Sequence, residues 1–255
     1  SHLRPSLLPG LLRAAARNQA RGFQDLALFE ASEVFHGAEP GEQRLEVAGL
    51  LVGRAAAKGV HGPARAWDAF DAKGDLEALL AALGAPARTT LRRTGSAWWH
   101  PGRHGVVALG PKAALAEFGE IHPKVLRALD VRGGAVAFTL WPDAIPLPRA
   151  QGTARPRLEL PDLQAVERDF AFVVDERVEA QALVRAAEGA DKALVAEVRV
   201  FDAFQGGGLP AGKKSLALTV RLQPRAATLT EAEIARVAQA VVEKVGRATG
   251  ATLRG

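Results

Sequence analysis

AEVRVFDAFQGGGLPAGKKSLALTVRL, residues 196–222, is the stretch that decides the fold. Val198 and Val200, then Leu216, Leu218 and Val220, recur at every second position, the period of two half-buried strands. Gly206, Gly207, Gly208, Pro210 and Gly212 between them turn the chain. The opposite face of this hairpin carries Arg199, Phe201, Ser215, Thr219 and Arg221, with Lys213 and Lys214 at the mouth of the loop. A sheet face with an aromatic ring, hydroxyls and cations suits a nucleic-acid platform. A plain solvated sheet face shows the same alternation.

The flanks extend the pattern. Asp169–Val174 (DFAFVV) reads as a strand, and a helix follows from about Val178 to Glu188, with Gly189 at its end. Beyond the hairpin, Thr230-Glu231-Ala232-Glu233 has the form of a capping box. It opens a helix in which Ile234, Val237, Ala238, Val241, Val242 and Val245 keep helical spacing. Gly246 or Gly250 stops that helix, and residues 251–254 supply a last short strand. The order β-α-β-β-α-β is the split βαβ plan of ferredoxin-like domains, which specifies a fold and not an activity.

Residues before this domain read as a second one. Ser6 can cap a helix bearing Leu7, Leu8, Leu11, Leu12 and Ala15, with Pro9 in its first turn and Gly22 at its end. A strand over Leu26–Phe35 and another over Arg44–Gly53 follow. Asp75 can cap a helix carrying Leu76, Leu79, Leu80 and Leu83. Further strands are expected near Gly105–Gly110 and Ala135–Trp141. The proline-rich run from Pro142 to Pro161 reads as a semi-rigid linker. The whole is therefore α+β: a first domain over 1–145, a linker over 146–160 and a ferredoxin-like domain over 161–255.

Composition narrows the chemistry. The 255 residues include no Cys, which removes disulfides, thiolate catalysis and cysteine metal sites. There is also no Met or Tyr; with no initiator Met, the chain is expected to be a fragment or a processed product. No run reaches the ~20 apolar residues of a membrane span, and no signal peptide opens the chain, so a cytoplasmic location is expected. Net charge is +5, yet residues 161–255 hold 13 Lys+Arg against 13 Asp+Glu. Any RNA contact on the hairpin must therefore be local; residues 197–225 carry five cations against two acids.

Several sites fail on spacing. His100 and His104 flank Pro101-Gly102 and have no acidic or Cys ligand beside them, so no metal is expected. Gly206-Gly207-Gly208 leads into a strand, where a dinucleotide site needs a helix N-terminus. Trp98, Trp99 and Phe118 are aromatic anchors of the kind enriched at protein interfaces.

Asp202 and Ser215 stand at the two ends of the hairpin loop. A carboxylate accepts from the N1–H and N2 amino group of guanine, and a serine hydroxyl can donate or accept beside it. Strict alternation puts Asp202 on the core side, so a bulge or strand end must turn it outward. The competing role for Asp202 is an Asx-turn cap of the loop backbone.

The residues Glu167-Arg168-Asp169-Phe170-Ala171-Phe172-Val173-Val174, Phe201-Asp202-Ala203-Phe204, Gly212-Lys213-Lys214-Ser215-Leu216-Ala217-Leu218, Thr228-Leu229-Thr230 and Leu253-Arg254 resemble the ferredoxin-fold anticodon-binding domain. That domain ends the β subunit of bacterial phenylalanyl-tRNA synthetases. Phe204 stands where the family commonly carries Tyr. The first domain is similar to the same subunit's class II catalytic-like region: an Arg4-Pro5 start, a helix, then a strand that should end Phe-Arg-x-Glu. Here Phe35 is followed by His36, so the arginine that grips ATP phosphates in active members is missing. The third class II motif is absent as well. The resemblance thus implies a partial class II synthetase-like antiparallel sheet domain without catalytic residues, followed by the anticodon-binding domain. It further implies tRNA(Phe), whose anticodon begins with G, and the synthetase α subunit as partners in an assembly of two α and two β chains. No cofactor is expected in this chain; ATP and Mg belong to the complete enzyme. The tRNA-binding candidates are Asp202, Ser215, Lys213, Lys214, Arg199, Phe201 and Arg221. A class II-like enzyme that independently activates a small acid with ATP is the other class of function considered; His36 and the missing third motif disfavour it.

Overall fold

The computed structural model describes residues 3–60, 62–111, 113–147 and 160–254. The chain divides into two compact units, Ser1–Thr153 and Ala154–Gly255. Most of the expected linker, residues 148–159, lies outside the described residues.

The first unit is built on a six-stranded antiparallel sheet. Its elements are α1 (Leu8–Ala20), β1 (Leu26–Phe35), β2 (Gln43–Val52), a small ribbon of β3 (Arg54–Ala56) and β4 (Arg65–Ala66), α2 (Ala69–Ala82), β5 (Thr90–Arg92), β6 (Trp99–Leu109), β7 (Ala113–Ile121), α3 (Pro123–Ala128) and β8 (Ala135–Leu140). The order across the sheet is β1-β2-β8-β7-β6-β5. One face packs Ala48, Leu50, Val52, Ala135 and Ala137 against the α1 leucines. The other packs Val107, Leu115, Phe118, Phe138 and Leu140 against Leu76 and Leu80 of α2. On this second face a cross-strand row runs Phe29, Gly49, Phe138, Phe118, Gly105. A methyl group at Gly49 would overlap the Phe138 ring, and one at Gly105 would press on Phe118. The two glycines make room for the rings.

Both helix starts in this unit differ from the sequence expectation. Ser6 does not cap α1 alone; the carboxylate of Glu46, on β2, accepts from the Leu7 amide at 2.9 Å and from Ser6 Oγ at 3.2 Å. A tertiary contact thus supplies the anion that a helix N-terminus favours. α2 begins well before Asp75: Asp68 accepts from the Phe70 and Asp71 amides, and Asp71 answers with the Asp68 amide. Two carboxylates within one turn form a capping box as Ser and Glu would.

Trp99 and Phe118 are not interface anchors. Trp99 is 2% exposed and donates its indole N–H to the buried Glu117 at 2.6 Å. Phe118 is a core residue beneath α2. Of the three, Trp98 alone is exposed. Both rings are consumed by their own chain because β6 and β7 are central strands, covered on both faces.

The second unit has β9 (Val166–Asp175), α4 (Ala180–Glu188), β10 (Val195–Phe204), β11 (Lys213–Leu222), α5 (Glu231–Thr249) and β12 (Thr252–Leu253). The sheet order is β10-β11-β9-β12, all antiparallel, with both helices on one face. This is the ferredoxin-like arrangement. Thr230 caps α5 and exchanges bonds with Glu233, and Gly250 ends it at φ +67°, where a side chain would be strained.

Candidate nucleic-acid interface

The helices of the second unit cover the face bearing Phe170, Phe172, Val174, Leu216, Leu218 and Val220. The opposite face carries no helix of its own unit, and the register sets what it presents. Glu197, Arg221 and Glu167 form one cross-strand row, and Arg199, Thr219 and Asp169 the next. Within the second row Thr219 Oγ1 donates to the Asp169 carboxylate at 2.7 Å.

The register then shifts. Val200 pairs with Leu218, but Asp202 pairs with Ala217, leaving Phe201 as the extra residue of a β-bulge. In a bulge two residues oppose one, so Phe201 and Asp202 together face Ala217. Parity inverts at that point. Asp202 joins the helix-free face, with Ala217 and Ala171 beside it. In the following row Phe204 lies opposite Ser215, then Val173 and Thr252.

Asp202 is exposed, and among the described residues its carboxylate accepts no hydrogen bond and joins no ion pair. The glycine loop closes on its own carbonyls, through Leu209 N to Gly206 O at 3.3 Å and Lys213 N to Pro210 O at 3.1 Å. Asp202 therefore caps no turn. Ser215 is on the same face, one row along and diagonal to Asp202, but it is recessed at 5% exposure between Phe204 and Val173.

The cations are spread out. Arg199 is exposed on the open face. Arg221 shares that face but sits between Glu197 and Glu167. Lys213 falls opposite Asp175, whose carboxyl is held below the usual range chiefly by the Arg177 side chain, with Lys213 adding to the effect. Lys214 has the parity of Leu216, the helix side of the sheet. The two lysines are thus directed to opposite faces.

Two features of this surface escaped the sequence reading. Ala217 and Ala171 make a flat, low floor at its centre. Arg254, just past β12, donates its amide to the Ala171 carbonyl at 2.8 Å, which puts it at the end of the row opposite Asp202. Only the closing Leu253-Arg254 pair could have pointed there. A flat base can lie on such a floor, with a stacking ring at Phe204, an acceptor at one end and a cation at the other.

In the first unit, His36 is exposed in the turn after β1, its amide bonded to the Glu42 carbonyl. Glu30 of β1 is held by Arg4 at 2.6 Å. One imidazole cannot reproduce the fork of a guanidinium, so these residues do not fit an ATP phosphate clamp.

Comparison with known proteins gives the same division. A family described as "Phenylalanyl tRNA synthetase beta chain CLM domain" matches residues 1–141, and one described as "Ferredoxin-fold anticodon binding domain" matches residues 161–254. The phenylalanine–tRNA ligase β subunit of Ruegeria pomeroyi is 67% identical over 255 residues, covering all of this chain and 32% of that protein. The corresponding subunit of Cereibacter sphaeroides is 61% identical over 259 residues, again covering all of this chain and 32% of that protein. The chain therefore spans about a third of the length of these curated relatives. A solved pyrrolysyl tRNA synthetase of Desulfitobacterium hafniense aligns at 17% identity and a TM-score of 0.40, over 54% of this chain and 46% of that one.

Proposed function

Because the chain belongs to the phenylalanyl-tRNA synthetase β-chain family, we propose that it is a non-catalytic part of a phenylalanine–tRNA ligase β subunit that binds the anticodon stem-loop of tRNA(Phe). On this reading it is the C-terminal part of that subunit. Residues 1–145 are a class II catalytic-like domain supporting the catalytic α subunit, and residues 161–255 read the anticodon. Charging with ATP and Mg takes place on the α subunit of a cytoplasmic enzyme of two α and two β chains. The independent acid-activating alternative is not favoured, since His36 offers no phosphate fork.

The observation that carries the reading is the bulge at Phe201, which delivers an unpaired carboxylate to the edge of a flat, helix-free sheet face. A carboxylate with no protein partner is a costly thing to hold beside a sheet unless a donor arrives. Guanine brings two adjacent donors on one edge, N1–H and the N2 amino group, and Asp202 can accept both. Phe204 lies in the neighbouring row for stacking, and Ser215 offers a hydroxyl from below.

Asp202→Asn should weaken binding of an anticodon stem-loop beginning with G by about 1–3 kcal/mol, the size of a charge-assisted hydrogen bond. Changing that base to A should cost the wild type heavily and the variant little, read by fluorescence anisotropy. Equal discrimination by both proteins would remove Asp202 from base reading.

A further inference from the structure

We propose that the outward side of α1 is a second RNA-contact surface, one that grips the phosphate backbone of duplex RNA. Arg13 and Arg17 on α1, and Arg21 directly after it, recur at intervals of four residues, so they form one stripe along one side of the helix. That side lies opposite Leu8, Leu11, Leu12 and Ala15, which are buried against the sheet. All three arginines are exposed, and none engages a carboxylate. Other arginines of this unit do: Arg4 pairs with Glu30, Arg54 with Asp25, Arg65 with Asp71 and Arg103 with Glu120. The unpaired arginines are gathered on α1.

Three further observations favour a polyanion there. Residues 1–24 contain no Asp or Glu, so nothing on the stripe repels phosphate. Gly10 and Ala14 flank the arginines, leaving the guanidinium groups standing above small neighbours. Arg132 adds a fourth cation at the end of the helix, its amide bonded to Gln19 Oε1 at 2.9 Å and its guanidinium reaching the Gln19 carbonyl. On the scale of the chain, residues 161–255 are neutral and the whole +5 excess precedes them. Arginine suits this task because its planar fork grips phosphate oxygens in pairs. Evenly spaced backbone phosphates need no sequence-reading group beside them. The choice of RNA among polyanions rests on the proposed function.

The test uses the 255-residue chain and a loop-free RNA duplex of about 16 base pairs, a length that spans successive grooves. Affinity is measured against salt for the wild type, for R13Q/R17Q/R21Q and for K58Q/R88Q/R225Q, a control losing the same charge from exposed positions elsewhere. Gln preserves helix propensity. The stripe variant should show a salt slope shallower by about two to three, against little change in the control. Asp202→Asn should bind the duplex as the wild type does. Equal slopes for stripe variant and wild type would overturn the inference, as would equal losses in stripe variant and control. So would a stripe effect seen only with anionic lipid vesicles. Loss of guanine discrimination is read separately on the stem-loop, so failure here leaves the anticodon reading standing, and the reverse.

Discussion

One residue decides what the open face can read. Phe201 has no partner on β11, and that single insertion moves Asp202 from the helix side to the free side. The same parity rule separates two lysines that look equivalent in sequence. Lys213 has the parity of Ser215 and Lys214 that of Leu216. Lys213→Ala should therefore lower the salt slope of stem-loop binding by about one while leaving base preference alone, as a phosphate contact does. Lys214→Ala should leave the slope unchanged. Similar losses for both would mean that the loop mouth, and not the open face, meets the RNA.

Among elements, α5 carries the pH sensitivity of the second unit. Arg236 on α5 binds Asp191, in the turn before β10, at 3.0 Å. Burial raises the Asp191 carboxyl, but the Arg236 side chain and the Ala193 and Leu194 amides outweigh it and leave it below the usual range. Glu233 is lowered by the Thr230 amide and hydroxyl that it accepts from. A carboxyl whose folded pKa is depressed stabilises the fold fully above its ordinary value near 4 and loses that contribution as pH falls through the folded one. The urea midpoint of the second unit should thus drop between about pH 5 and pH 3. Asp191→Asn should start lower at neutral pH and fall less on acidification. A variant that acidifies in parallel with the wild type would exclude this ion pair as the cause. Thr230→Ala, which removes the cap of the same helix, should cost about 1 kcal/mol at neutral pH.

For the molecule as a whole, the first unit keeps a large antiparallel sheet without the group that would hold ATP. Its polar side chains are spent on structure: Glu46 secures α1 and accepts from the Trp141 indole at 3.2 Å, and Glu117 secures Trp99. With His36 in the turn, the chain alone should give only background pyrophosphate exchange with phenylalanine and ATP, and activity should appear when α subunit is added. Exchange catalysed by the purified chain would restore the acid-activating alternative.

The sequence by itself determined the elements of the second unit, because alternation, a capping box and a C-terminal glycine are local signals that survive any packing. Thr230, Gly250 and the valines of α5 are in the places their spacing implied. Helix starts in the first unit were less legible. The residue that meets the start of α1, Glu46, is 39 positions away from Leu7, and no local pattern encodes such a contact. Trp99 and Phe118 illustrate the same limit, since an aromatic side chain reads alike whether a partner chain or its own sheet covers it. The direction of Asp202 belonged to tertiary structure entirely. A bulge exists only between two paired strands, and one unpaired residue there inverts every side chain that follows.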